Sequence, residues 1–111
     1  MAGKFEVYKD TAGKYRFRLK ATNGQTILSS EAYSSKEACR NGIASVQRNG
    51  PDPARYERKT AKNGKFHFVL KAANHQVIGS SQTYDSERTM ETGVASVQKN
   101  STTITIDDTT A

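Results

Sequence analysis

Ser34-Ser-Lys-Glu-Ala-Cys-Arg-Asn-Gly-Ile-Ala-Ser-Val-Gln-Arg-Asn49 is the stretch that decides the fold, because the chain says it twice. Fifty-one residues later it returns as Asp85-Ser-Glu-Arg-Thr-Met-Glu-Thr-Gly-Val-Ala-Ser-Val-Gln-Lys-Asn100. Both copies place Cys39/Met90, Gly42/Gly93, Ile43/Val94 and Val46/Val97 on one face at the 3.6-residue period of an amphipathic helix. Ser34, with Glu37 three residues on, reads as a capping box. Asn49-Gly50 reads as a left-handed helix stop. A helix-interior glycine costs about 0.5–1 kcal/mol relative to alanine. One on the apolar face of each copy therefore predicts that the helix backbone presses close on its neighbour.

Working upstream, residues 14–49 and 65–100 align without a gap, and about half the aligned positions are identical. Such self-similarity signals a duplicated supersecondary unit. In the first copy, residues 4–9 predict a strand with Phe5 and Val7 on one face, and Asp10-Thr-Ala-Gly13 a turn. Tyr15, Phe17 and Leu19 alternate with Arg16, Arg18 and Lys20, the two-residue period of a half-buried strand. Asn23-Gly24 then signals a hairpin into a third strand over 26–31. The second copy predicts strands over 55–60, 66–71 and 77–81. Arg58 there replaces Val7, and Asn74-His75 replaces Asn-Gly, which predicts a looser loop. Gly50-Pro-Asp-Pro53 turns the chain between the copies. Ile104-Thr-Ile106 predicts a closing strand, and residues 107–111 a frayed tail.

The expected architecture is α+β: two tandem β-β-β-α-β repeats, 3–50 and 54–106, in one pseudo-twofold domain of antiparallel sheet and two helices. One unit of about fifty residues buries only a marginal core. The two should therefore pack their apolar faces together, giving a monomer that is internally a pseudo-dimer.

Composition narrows the function without choosing it. Seventeen Lys and Arg against eleven Asp and Glu give +6, a balance that suits nucleic acid or an acidic protein as partner, or solubility alone. A single cysteine, Cys39, leaves no internal disulfide and no Cys-rich metal site. No apolar run matches a signal peptide or a membrane span, so a cytoplasmic protein with no membrane partner is expected.

Lys14-Tyr-Arg-Phe-Arg-Leu-Lys-Ala-Thr-Asn-Gly-Gln25, Tyr33-Ser-Ser-Lys36 and Asn41-Gly-Ile-Ala-Ser-Val-Gln-Arg-Asn49 resemble the YegP family of small bacterial proteins. The resemblance implies one or two copies of a β-β-β-α-β unit and a bacterial setting. It brings no established activity, and so no catalytic or binding residues.

Weighed residue by residue, no catalytic grouping, metal or cofactor site emerges, and a non-enzyme is expected. His67 and His75 lack ligand-type partners at usable spacing. Cys39 aligns with Met90, which argues for packing rather than nucleophilic chemistry. Ser29-Ser30 and Ser80-Ser81 read as small residues facing the helix glycines. Two groups remain as candidate binding residues. Arg16, Arg18, Lys20 and Lys71 form a basic stripe on the solvent face of the sheet, able to meet a phosphate backbone or to pair with Glu6 and Glu57. Ser45/Ser96 and Gln47/Gln98 are polar, shared by both copies, and unexplained by helix or turn rules. The leading reading is a small binding or accessory protein of unknown partner. The alternative is weak, sequence-tolerant nucleic-acid binding through the basic strand face.

Overall fold

The computed structural model describes residues 3–110. Its strands are β1 (Lys4–Lys9), β2 (Tyr15–Lys20), β3 (Thr26–Ser30), β4 (Tyr56–Thr60), β5 (Phe66–Lys71), β6 (Val77–Ser80) and β7 (Ile106–Asp108). The helices are α1 (Lys36–Asn49) and α2 (Glu87–Asn100). All seven strands form one sheet in the order β4-β5-β6-β3-β2-β1-β7. Each repeat is the expected meander plus helix, but the repeats join edge to edge through β3 and β6 rather than face to face. Their apolar faces become one continuous floor, and both helices lie across it.

The register follows the sequence alternation. Phe5 and Val7 of β1 sit opposite Leu19 and Phe17 of β2, and all four are fully buried on the helix side. Tyr56, Phe68 and Leu70 repeat this in the second half. Cys39, Ile43 and Val46 of α1, with Met90, Val94 and Val97 of α2, complete the core, so the helix-face prediction holds.

Gly42 and Gly93 are small because an aromatic ring lies against each. A β-carbon on Gly42 would stand 2.8 Å from Tyr33 Cζ and 2.9 Å from Phe17 Cε2; on Gly93 it would stand 2.7 Å from Tyr84 Cζ. Tyr33 is stacked on Phe17 and Tyr84 on Phe68, with ring centroids 6.2 and 6.4 Å apart. The rings are wedged between strand and helix and cannot swing aside.

Several local expectations are corrected. The N-cap of α1 is Ser35, whose Oγ accepts from the Ala38 N–H; Ser86 caps α2 in the same way. Gly50 is right-handed (φ −58°), so it is not a left-handed stop. It is glycine because the buried Ser101, at the end of the other helix, occupies the space a side chain would need. The Asn74-His75 hairpin is no looser than its partner. The bonds Ala72 N–H to Gln76 O, His75 N–H to Ala72 O and Gln76 N–H to Asn74 Oδ1 duplicate those at Ala21, Gly24 and Gln25. His75 instead adopts φ +70° where Gly24 has +83°, a conformation that costs a side-chain-bearing residue roughly 1–2 kcal/mol. Ser30 and Ser81 do not face the helix glycines for want of bulk: each Oγ accepts from a strand N–H, of Phe17 and Phe68 respectively, and donates to the next carbonyl.

The chain end departs most from expectation. Ile104 is exposed and outside any strand, whereas Ile106–Asp108 pairs in parallel with β1. Residues 107–110 are thus held rather than frayed: Thr109 N–H donates to Val7 O, and Asp108 meets Lys36 Nζ at 3.1 Å and Arg40 Nη2 at 3.4 Å. Ala111 lies outside the described residues. The Thr110 hydroxyl and N–H, which both donate to Asp108, hold its carboxyl well below the usual carboxylate range, and Lys36 adds to this.

Gly42→Ala gains helix propensity but forces the wedged Tyr33 ring; it should lower stability by about 1 kcal/mol in chemical denaturation. Tyr33→Phe in the same chain should recover part of that loss, because the hydroxyl is the atom nearest the new methyl group. A carboxyl whose native pKa is depressed stabilises above its unfolded pKa, and the contribution is lost as pH falls towards the native value. Asp108→Asn should therefore speed amide exchange across residues 107–110 at neutral pH, and the difference from wild type should shrink below about pH 4.

Candidate functional site

The basic stripe lies where the alternation places it, on the sheet face away from the helices, and its charges are already met. Glu6 Oε1 lies 3.1 Å from Arg18 Nε and Glu6 Oε2 3.3 Å from Lys20 Nζ. Glu57 holds Lys71 at 2.6 Å, and Asp10 holds Arg16 at 2.8 Å. The Lys71 and Arg16 contacts draw the carboxyls of Glu57 and Asp10 below their ordinary range. Arg18 also stacks on Tyr8, 3.9 Å from the ring centroid.

The second candidate group separates into two. Gln47 and Gln98 tie the helices together. Gln47 Nε2 donates to Thr103 O just after α2, and Gln98 Nε2 reaches Pro51 O just after α1, at 2.9 and 3.4 Å. Each helix thus clasps the exit of the other. Ser45 and Ser96 accept from the side-chain amides of Asn49 and Asn100, one turn on. Both serines also line grooves.

These grooves are the site that sequence reasoning did not assemble. The first, about 510 Å³, runs between α1 and the β5–β6 hairpin, with Asn41, Ser45, Arg48 and Asn49 on one wall, Asn74 and Gln76 on the other, and Glu31 at its margin. The second, about 370 Å³, runs between α2 and the β2–β3 hairpin, with Thr92, Ser96, Lys99 and Asn100 facing Asn23. Subtracting fifty-one maps the α2 wall onto the α1 wall and Asn74 onto Asn23, whereas the equivalent of Gln76, Gln25, does not line the second groove. Each groove therefore combines one repeat's helix with the other repeat's hairpin, with amides and hydroxyls along the walls and one cation near the helix end; the first also carries the Glu31 carboxylate. Neither Arg48 nor Lys99 forms an ion pair among the described residues. The repeat alignment carries the signal as the like-charge pair Arg48/Lys99, which a search for identical residues passes over.

Catalytic candidates fare as their surroundings dictate. Cys39 is fully buried, and burial with the nearby Asp108 carboxylate pushes its thiol up. His67 is half-buried on the open sheet face, with Nδ1 enclosed and unpartnered. No cluster of three or more His, Cys, Asp or Glu suited to a metal ion occurs among the described residues. No helix among them is long and apolar enough to cross a membrane.

The model of the family described as "Domain of unknown function (DUF1508)" matches this chain twice, over residues 10–57 and 61–108. The chain belongs to this family. The DUF1508 unit starts at the turn before β2 and runs through the strand after the helix, a shifted frame of the same repeat. The UPF0339 protein YegP of Escherichia coli strain K12 is 57% identical over 110 residues, covering 99% of this chain and 100% of the relative. A solution NMR structure of yegP from E. coli, described as a protein of unknown function, superposes with a TM-score of 0.93, covering 98% of this chain and 94% of that one. A second NMR structure, of a UPF0339 protein from Shewanella oneidensis, is 49% identical with a TM-score of 0.91, covering 97% and 92% of the two chains. The resemblance read from the sequence is thereby established. This chain carries two DUF1508 repeats in an α+β fold, and the family's function is unknown.

Because the single thiol is sealed in the core and its thiolate disfavoured, Cys39 should react with a thiol-specific reagent only on unfolding. Labelling followed by mass across a denaturant series should track the unfolding transition.

Proposed function

We propose that this DUF1508 protein is a non-enzymatic binding protein whose two equivalent grooves receive acidic groups of a partner protein. The observation that carries this reading is the unpaired cation, Arg48 or Lys99, standing at the same helix position in both grooves beside amide and hydroxyl groups, with Glu31 as the one carboxylate lining the first groove. Side-chain amides and hydroxyls can donate to a carboxylate, and a cation beside them makes those bonds charge-assisted. Two such grooves on one rigid body suit a partner that presents acidic residues more than once, since linked contacts raise affinity through effective concentration. The net charge of +6 favours encounter with such a partner.

The nucleic-acid alternative is weaker. Its cations, Arg16, Arg18, Lys20 and Lys71, are each held by a carboxylate of the adjoining strand or turn, so a phosphate backbone would have to displace an internal partner to gain each contact.

An oligoglutamate peptide and a thymidine oligonucleotide, each titrated into isotope-labelled protein at low salt, separate the readings. The peptide should shift amides of Asn41, Ser45, Asn74, Thr92 and Ser96, and Arg48→Ala with Lys99→Ala should weaken it about tenfold. The oligonucleotide should leave β1, β2 and β5 unshifted under the same conditions. Shifts confined to the open sheet face, or none in the grooves, would overturn the groove reading.

A further inference from the structure

The pseudo-twofold axis is broken at the ends of the sheet. In the first repeat the outer edge of β1 is covered by β7: Phe5 N–H donates to Thr105 O, and Val7 O accepts from Thr109 N–H, in parallel register. Adding fifty-one residues carries β1 onto β4, whose outer edge has no neighbouring strand among the described residues. The cause lies in the connectivity. The chain leaving α2 is free to fold over β1 as β7, whereas the chain leaving α1 becomes β4 itself, so no segment remains to cover that edge. Tyr56 N–H and Arg58 O stand where Phe5 N–H and Val7 O stand. Val7 is fully buried, while Arg58, Lys59 and Thr60 are exposed.

The place of the missing strand is a cavity of about 200 Å³ lined by Arg58, Lys59, Phe66, Glu87, Met90 and Glu91. These are the equivalents of Val7, Tyr8, Tyr15, Lys36, Cys39 and Arg40, the surroundings of Asp108. At the two helix positions the charge is inverted, while the cations Arg58 and Lys59 stand where Val7 and Tyr8 stood. Lys36 and Arg40 hold the Asp108 carboxylate in the first repeat. Glu87 and Glu91 take their places in the second. Arg58 pairs with Glu91, Nη2 to Oε1 at 2.9 Å, and Glu87 has no ion-pair partner among the described residues. With Arg58 on Glu91 and Lys59 drawn to Glu57 at 3.6 Å, Glu87 is the carboxylate at this edge left to be matched.

We propose that the outer edge of β4 receives, in parallel orientation, an extended segment of a partner protein carrying lysine or arginine where β7 carries Asp108. Backbone pairing to Tyr56 N–H and Arg58 O supplies the attachment, and the cation at the Glu87/Glu91 cavity supplies the selection, the division of labour usual when a strand is added to a sheet edge. The site is separate from the two grooves and does not depend on them.

The probe is a synthetic peptide of residues 103–110 of this chain bearing Asp108→Arg, compared with the unsubstituted peptide, each at millimolar concentration against labelled full-length protein. The arginine peptide should shift the amides of 56–60 and 87–91 and bind about tenfold more tightly than the aspartate one. A nitroxide on its N-terminus should broaden Tyr56 more than Thr60, as parallel pairing requires. Glu87→Lys with Glu91→Arg changes only exposed side chains, and it should reverse the preference between the two peptides. Equal response to both peptides, no response, or no reversal in the charge-swapped protein would overturn the proposal. So would β4 amides that shift with protein concentration alone as sedimentation reports a dimer, since a second copy would then occupy the edge.

Discussion

The seam between β3 and β6 is the contact on which the rest of the molecule depends. It is short: Ser29 pairs with Ser80 and Ser30 with Gly79. Yet it fuses two half-sheets into one floor wide enough to be sealed by two helices. At the centre of a twofold arrangement there is room for only one of two equivalent side chains, and the sequence breaks its symmetry to meet this. Leu28 is fully buried at the seam, while its equivalent is Gly79, where a β-carbon would stand 2.9 Å from Ser29 O and 3.0 Å from Leu28 Cγ. The same crowding recurs where the helices end, with Gly50 yielding space to Ser101. Substituting the glycine at either point would force backbone apart rather than merely crowd a side chain.

Around this seam the two repeats hold each other by exchange. Gln47 reaches the loop after α2 and Gln98 the loop after α1, and each helix forms a groove with the opposite hairpin. A lone repeat would lose half of its apolar floor and one wall of its groove. The duplication therefore creates the grooves as well as the core. This explains why the polar residues shared by the repeats serve two ends, with Ser45 and Ser96 both bonding Asn49 and Asn100 and facing open space.

Charge is arranged in three distinct ways on this small surface. On the open sheet face cations and carboxylates alternate across strands and neutralise one another. In each groove a single unpaired cation stands beside amide and hydroxyl groups, with the Glu31 carboxylate added in the first. At the two sheet ends the same positions carry opposite charge, Lys36 and Arg40 against Glu87 and Glu91, while the strand order leaves only one edge covered. A net charge of +6 summarises none of this, because partner choice rests on which charges lack a neighbour.

By itself the sequence determined the repeat, the strand and helix content, the buried faces and the requirement for a small residue at Gly42 and Gly93. Each of these is a local or periodic property, and binary pattern and self-alignment report such properties directly. The basic stripe was legible as well, and so was its alternative of pairing with Glu6 and Glu57. Tertiary structure alone decided that the halves meet edge to edge, that Tyr33 and Tyr84 are what the helix glycines press against, and that the chain end returns as a parallel strand on β1. It also decided that the residues of each groove come from different repeats. Such outcomes depend on which distant segment arrives at an edge, and neither hydrophobic period nor turn chemistry encodes an address. A short strand reads alike whether its far side meets β7, as β1 does, or water, as β4 does. Only the fate of the chain leaving each helix separates the two.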